Sequence, residues 1–256
     1  RAGVEDAIDI SERKPDWIRP HVSHGENVMS LKRTLKDLKL VTVCEEAGCP
    51  NLSECWDSGT ATFMVLGERC TRACGFCLVD TRKPEAPDAD EPARVAEAVQ
   101  RMGLSYAVLT MVARDDLADE GMGHVAECIA AIRAVDPSIR IETLISDARG
   151  TAALDILLDA RPDVMNHNTE TVPRLQRAVR PSAGYARSLS VLARSKAKGL
   201  VTKSGLIVGM GETDDEVRAT LLDLAAVGVD IVTIGQYLRP TTHHLPVSRW
   251  VEPAMF

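Results

Sequence analysis

Six of the chain's seven cysteines fall between Cys44 and Cys77. They form two triplets: Cys44, Cys49 and Cys55 with the spacing C-x4-C-x5-C, and Cys70, Cys74 and Cys77 with the spacing C-x3-C-x2-C. This crowding limits the possible folds more than any other feature. Core packing does not require it, and thiolates are soft ligands suited to zinc or iron–sulfur clusters. The seventh, Cys128, shares a helical stripe with Val125, Ile129 and Ile132 and reads as a core residue, because such a cysteine packs like a small hydrophobe.

With 256 residues the chain has room for one large α/β domain or two small ones. No apolar run approaches the length that crosses a bilayer, and no signal-peptide pattern opens the chain. The expected compartment is the cytoplasm, where thiols stay reduced and clustered cysteines read as metal ligands rather than disulfides. A net charge of −7 argues against general nucleic-acid binding, which needs a concentrated basic face. The one small basic run, Lys32, Arg33, Lys36 and Lys39, reads as a solvated helix face, with docking of an acidic partner as the alternative.

Residues 1–30 read as an extended arm pinned by Trp17 and Ile18. Residues 30–39 place Leu31, Leu35 and Leu38 at helical spacing, with Ser30 as N-cap. Residues 40–60 carry the first triplet among turn formers, with Trp56 placed to pack over whatever the triplet holds. Alternation then begins. Strands are expected at 62–66, 106–111, 139–145, 163–168, 201–208 and 230–237. Helices are expected at 92–102, 122–135, 151–160, 171–179 and 184–198, with a last one opened by a Thr213–Glu216 capping box. Six strands separated by helices imply an α/β fold with a parallel sheet, either a partial (β/α) barrel or a flat doubly wound sheet. Both architectures put chemistry at the C-terminal ends of the strands, where the second triplet lies.

The second triplet supplies three thiolates on one short loop. A [4Fe–4S] cluster has four irons, so three cysteines leave one iron open to a nitrogen and oxygen chelator. Gly75 lets the loop bend tightly and Phe76 would shield the cluster from water. A zinc loop, or a redox C-x-x-C made by Cys74 and Cys77, are the competing readings.

The motif CTRACGFC after the first strand, ahead of five further βα units, resembles the radical S-adenosylmethionine superfamily. That resemblance implies a partial (β/α)6 TIM-type barrel. It also implies that the open iron chelates S-adenosylmethionine, whose reductive cleavage gives a 5′-deoxyadenosyl radical. The first triplet narrows the resemblance. CEEAGCPNLSECW upstream of the radical triplet is similar to the lipoyl synthase family, and so are VLTMVARDDLADEG, HNTETV, GLVTKSGLIVGMGET and IVTIGQYLRPT, together covering about residues 10–251. On this resemblance residues 1–60 form an arm and an auxiliary-cluster loop, and residues 61–256 form the barrel. A further C-terminal segment, with an Arg-Ser-Ser-Tyr motif whose serine is the auxiliary cluster's fourth ligand, is expected beyond Phe256.

The resemblance implies sulfur insertion at C6 and C8 of a protein-bound octanoyl-lysine chain, with two [4Fe–4S] clusters and S-adenosylmethionine as cofactors. Cys70, Cys74 and Cys77 would hold the radical cluster. Cys44, Cys49 and Cys55 would hold an auxiliary cluster whose own sulfides are inserted. Thr110, Arg114 and Asp115 after the second strand, and Asn168 and Glu170 after the fourth, are the implied cofactor pocket. The implied partners are octanoylated lipoyl carrier domains (the glycine cleavage H protein and 2-oxoacid dehydrogenase E2 subunits), an electron donor such as flavodoxin or ferredoxin, and an iron–sulfur carrier protein. No nucleic-acid or membrane partner is implied. The alternatives are another sulfur-inserting or methylthiolating enzyme of the superfamily, a non-enzymatic iron–sulfur carrier, or a zinc-stabilised module. Gly209-Met-Gly211 reads equally as a tight approach to cofactor or a plain turn. His243 and His244 read as surface histidines.

Overall fold

A computed structural model of the chain describes residues 7–18, 26–46, 52, 55 and 60–256, without the side chains of 26–28, 44 and 46. Its contacts divide it into two compact bodies. One comprises residues 20–71 and 79–165, the other residues 1–19, 72–78 and 166–256.

The first body opens with helix α1 (Glu26–Asp37), which begins before Ser30, so that serine lies inside the helix rather than capping it. Leu31 and Leu35 on α1, and Leu38 just past it, form its buried stripe. Strand β1 (Val41–Thr42) follows, then a short helix α2 (Val43–Glu46) in the stretch expected to be loop. The Thr42 hydroxyl accepts the Glu45 amide at 3.4 Å and starts that turn. β1 lies antiparallel to β2 (Thr62–Val65), with Val41 opposite Met64. Phe63, Met64 and Val65 are all buried, the near-continuous apolar signature of a strand covered on both faces.

Helix α3 (Glu91–Arg101) carries Pro92 in its first turn, where the missing amide costs nothing. Then come β3 (Tyr106–Met111), α4 (Met122–Val135), β4 (Arg140–Leu144) and α5 (Thr151–Asp159). β2, β3 and β4 are parallel and adjacent, with Met64 opposite Thr110 and Thr110 opposite Leu144. Cys128 on α4 is fully buried beside Val125, Ile129 and Ile132, as its stripe implies. Strand β5 (Val164–Asn166) is shorter than expected; the Asp163 amide just before it donates to Ile141 of β4.

The second body takes over at Asn166. The expected helix over 171–179 is a 3-10 turn (Pro173–Leu175) followed by one turn of α-helix, α6 (Gln176–Val179). Proline tolerates only the first turn of a helix, so the segment starts late. Helix α7 (Tyr185–Ala197), strand β6 (Val201–Val208), helix α8 (Asp214–Ala226) and strand β7 (Ile231–Gln236) complete the alternation. β6 and β7 are parallel, with Gly205 opposite Thr233. Thr213 and Glu216 form the expected capping box on α8. The arm meets this body through Ile8, whose amide donates to Val247 at 2.8 Å; Trp17 is half exposed rather than serving as the anchor.

Candidate active site

Of the first triplet, Cys49 lies outside the described residues, as do the Cys44 side chain and Trp56. The Cys44 backbone belongs to α2, just after β1, and Cys55 is half-buried with its carbonyl accepting the Thr60 amide. The second triplet is described in full. Cys70, Cys74 and Cys77 are all half-buried, in no disulfide, and in a loop without regular structure.

Cys70 belongs to the first body. Its amide donates to Asp80 at 2.8 Å, closing the base of the loop, and its sulfur accepts the Ala113 amide at 3.3 Å. Thr71 beside it ties the loop to the end of β3. Its amide donates to the Ala113 carbonyl at 3.0 Å, and its hydroxyl lies 2.9 Å from both that carbonyl and Asp115 Oδ2. Asp115 also pairs with Arg149, Nε to Oδ1 at 3.3 Å. Asp115 therefore bonds the residue next to Cys70, in the loop that follows β3. Thr110 and Arg114 are placed differently. Thr110 is a buried residue of β3. Arg114 is 2% exposed, and its guanidinium is held by Asp116 at 2.8 Å and by the Leu66 carbonyl at 3.3 Å. That contact fixes the exit of β2, where Leu66 has a φ of 71°.

Cys74 and Cys77 belong to the second body. The Cys77 amide donates to the Cys74 carbonyl at 3.2 Å, so the two thiols flank one tight turn. Gly75 is clamped within it: its amide donates to Val179 at 2.8 Å and its carbonyl accepts the Leu245 amide at 2.9 Å. A Cβ there would come within 2.8 Å of the Leu245 side chain, so glycine is required for close approach. Phe76 packs on the apolar cluster of Val172, Val179 and Leu245, anchoring the loop.

The ribose-side candidates share this body. Asn168 and Glu170 follow β5, and the Glu170 amide and carbonyl bridge to β6 through Gly205 and Ile207. Glu170 adopts a φ of 63°, a left-handed conformation that costs energy in a non-glycine residue. Burial pushes its carboxyl above the usual carboxylate range, against the opposing pull of Arg180 and a hydrogen bond from Asn168. Arg180 is itself buried and donates to the carbonyls of Asn168 and Thr169 at 3.0 and 3.1 Å. Asn168 Oδ1 is buried, yet no donor among the described residues reaches it. A buried acceptor of this kind fits a ligand hydroxyl. Gly205 makes the room: a Cβ on it would lie 2.7 Å from that oxygen.

The Gly209–Gly211 loop is a self-closed turn. Glu212 accepts the Gly209 and Met210 amides at 2.5 and 3.0 Å. Thr71 and Ala113 stand inside the CTRACGFC and VLTMVARDDLADEG motifs without being marked there as site residues, and Arg180 lies in no motif. Nor does His244, which sits half-buried with Nε2 2.9 Å from the Cys77 carbonyl.

The Radical SAM superfamily model matches residues 64–224, and the model for the N-terminal domain of lipoyl synthase of the radical SAM family matches residues 5–49. The lipoyl synthase of Mycobacterium leprae (strain Br4923) is 52% identical over 257 residues, covering 100% of this chain and 82% of that protein. The lipoyl synthase of Thiobacillus denitrificans is 55% identical over 249 residues, covering 96% and 80%. Among solved structures, Streptococcus suis SuiB bound to S-adenosylmethionine aligns with a TM-score of 0.60 at 9% identity, over 78% of this chain and 47% of SuiB. Methylornithine synthase (PylB) aligns at 0.58 and 14% identity, over 85% and 62%. At such identities the likeness speaks for the α/β fold alone, and the α/β reading with its parallel strands and helical crossovers holds.

Proposed function

This chain belongs to the lipoyl synthase family of the radical S-adenosylmethionine superfamily, and on that premise we propose how its own residues share the work. The enzyme inserts two sulfur atoms, at C6 and C8, into an octanoyl chain carried on a lysine of a lipoyl carrier protein. Its cofactors are two [4Fe–4S] clusters and S-adenosylmethionine. When bound, these groups supply the one-electron chemistry and the sulfur; the chain supplies ligands and orientation.

Cys70, Cys74 and Cys77 are the ligands of the cluster that engages S-adenosylmethionine. The observation that carries this is the build of their loop: three half-buried thiols outside any disulfide, each end of the loop fixed by backbone hydrogen bonds. Thr71 and Ala113 orient the Cys70 sulfur, so that ligand is set before any cofactor arrives. Cys44, Cys49 and Cys55 are the ligands of the auxiliary cluster. Residues 1–60 thus form the arm and auxiliary-cluster loop, and residues 61–256 the radical half.

Asn168 and Glu170 are the residues that would take the ribose of S-adenosylmethionine, a reading supported by the buried Asn168 Oδ1, which a ligand hydroxyl would satisfy. Asp115 serves the amino end of the same molecule. Thr110 and Arg114 are the further cofactor candidates of the first body, where Arg114 holds Leu66 at the exit of β2.

The carriers are the glycine cleavage H protein and 2-oxoacid dehydrogenase E2 subunits. Flavodoxin or ferredoxin delivers the electrons, and an iron–sulfur carrier rebuilds the auxiliary cluster. The setting is the cytoplasm, where thiol ligands stay reduced. Among the described residues no helix is long and apolar enough to cross a membrane. Anaerobic incubation with S-adenosylmethionine, a reductant and an octanoyl-lysine carrier peptide, followed by mass spectrometry, tests the proposal. A gain of two sulfur atoms on the acyl chain is expected. A single methylthio group would assign the chain to the methylthiolating branch instead.

A further inference from the structure

We propose that His244 is a positioning residue for the Cys74–Cys77 loop, acting through the Cys77 carbonyl; the proposal rests on the assignment of Cys70, Cys74 and Cys77 as cluster ligands. The two residues are 167 positions apart, yet His244 Nε2 lies 2.9 Å from that carbonyl oxygen. A carbonyl only accepts, so Nε2 carries a proton and donates. The other ring nitrogen agrees. Nδ1 lies 2.8 Å from the Thr241 hydroxyl, and that hydroxyl already accepts the His243 amide at 3.2 Å, which leaves its own hydrogen for Nδ1. Both ring nitrogens are thus engaged, Nε2 on the Cys77 carbonyl and Nδ1 on the Thr241 hydroxyl.

The segment around His244 is held as firmly as the loop it grips. Arg239 Nε donates to the His244 carbonyl at 3.1 Å, and the Tyr237 hydroxyl donates to the Leu245 carbonyl at 2.7 Å. The Leu245 amide makes the second attachment, to Gly75 at 2.9 Å. Residues 237–245 therefore form a strap with two hooks on the turn between two cluster thiols. The Leu245 hook uses backbone and survives substitution. The His244 hook depends on one side chain. Without it, the Cys77 carbonyl loses a side-chain anchor, and the backbone that carries the Cys77 sulfur is held less tightly.

The test uses the full chain with Cys44, Cys49 and Cys55 changed to Ala, so that one cluster forms on anaerobic reconstitution. Iron loss to a chelator and the electron paramagnetic resonance spectrum of the reduced cluster, with and without S-adenosylmethionine, are the readouts. His244→Phe keeps the ring shape without the donor, and iron loss about fivefold faster with a changed spectrum is expected. His244→Gln places an amide donor near Nε2 and should return the rate to within about twofold of the parent and restore the spectrum. Parent-like behaviour of His244→Phe, or failure of His244→Gln to restore it, overturns the proposal. Should His244→Phe not fold, Thr241→Val, which releases the ring's orientation, takes its place: a smaller change in the same direction supports the proposal and none overturns it. Cys77→Ala is the control for the premise, since retention of an intact cluster there would refute the ligand assignment itself.

Discussion

The Leu245 amide donates to the Gly75 carbonyl at 2.9 Å while its side chain occupies the space a Gly75 Cβ would need. The same residue thus holds the thiol turn and forbids it a side chain. Gly75→Ala would place its Cβ 2.8 Å from Leu245 and 3.2 Å from the Ala178 carbonyl, and the backbone contact cannot swing aside. A loss of about 1–3 kcal/mol is expected, the usual cost of forced overpacking. In a double-mutant cycle with Leu245→Ala, a coupling of at least about 0.5 kcal/mol should appear in denaturant unfolding. Strict additivity would mean that the contact does not limit the turn.

The two triplets should separate cleanly in function. Cys70→Ala, Cys74→Ala or Cys77→Ala should abolish reductive cleavage of S-adenosylmethionine. Cys44→Ala, Cys49→Ala or Cys55→Ala should leave cleavage largely intact and eliminate sulfur insertion. Iron analysis of each reconstituted variant, alongside 5′-deoxyadenosine and product assays, checks this. Equal loss of cleavage in both sets, with the other cluster intact, would refute the division of roles.

Glu170 sets stability against binding. Burial raises its carboxyl above the ordinary value of 4.5, so the folded protein disfavours the charged form. Its stabilising contribution is present below the unfolded value and is lost as pH rises through the folded one. Glu170→Gln removes the charge and should raise Tm at neutral pH, with the difference shrinking toward pH 4.5 and below. If the carboxylate accepts a ribose hydroxyl, the same change should raise KM for S-adenosylmethionine about tenfold, the equivalent of one hydrogen bond. A lower Tm at neutral pH would show that Glu170 is a structural anion.

The start of α8 offers an acid-sensitive element away from the thiols. Arg174 holds the Glu216 carboxyl down to about 2, aided by the Thr213 amide. The stability from this group is complete above 4.5, its ordinary value, and disappears as pH falls through about 2. Thr213→Ala should cost about 1 kcal/mol by loss of the cap. Arg174→Ala should flatten the acid limb of a Tm–pH curve; a curve parallel to the parent's would exclude the pair as its source.

The sequence by itself determined where the soft thiol donors lie and the order of the elements. Six closely spaced cysteines admit few explanations, because thiolate spacing is a local property of the chain. The alternation of apolar runs and helical stripes is local too, so β2, β3, β6, β7 and the Thr213 cap lie where periodicity puts them. The early start of α1, the short α2 and the late start of the Pro173 segment departed from it, at sites decided by contacts or by a single proline. Only the tertiary structure decided what holds the loop of the second triplet. The Ala113 amide on Cys70, the Leu245 amide on Gly75 and the His244 ring on Cys77 come from distant parts of the chain, and a backbone amide leaves no mark in a sequence. Arg114 shows the converse: it stands in a motif beside Asp115, yet folding turns its guanidinium onto Asp116 and Leu66, because a buried charge takes whatever partners the packing supplies.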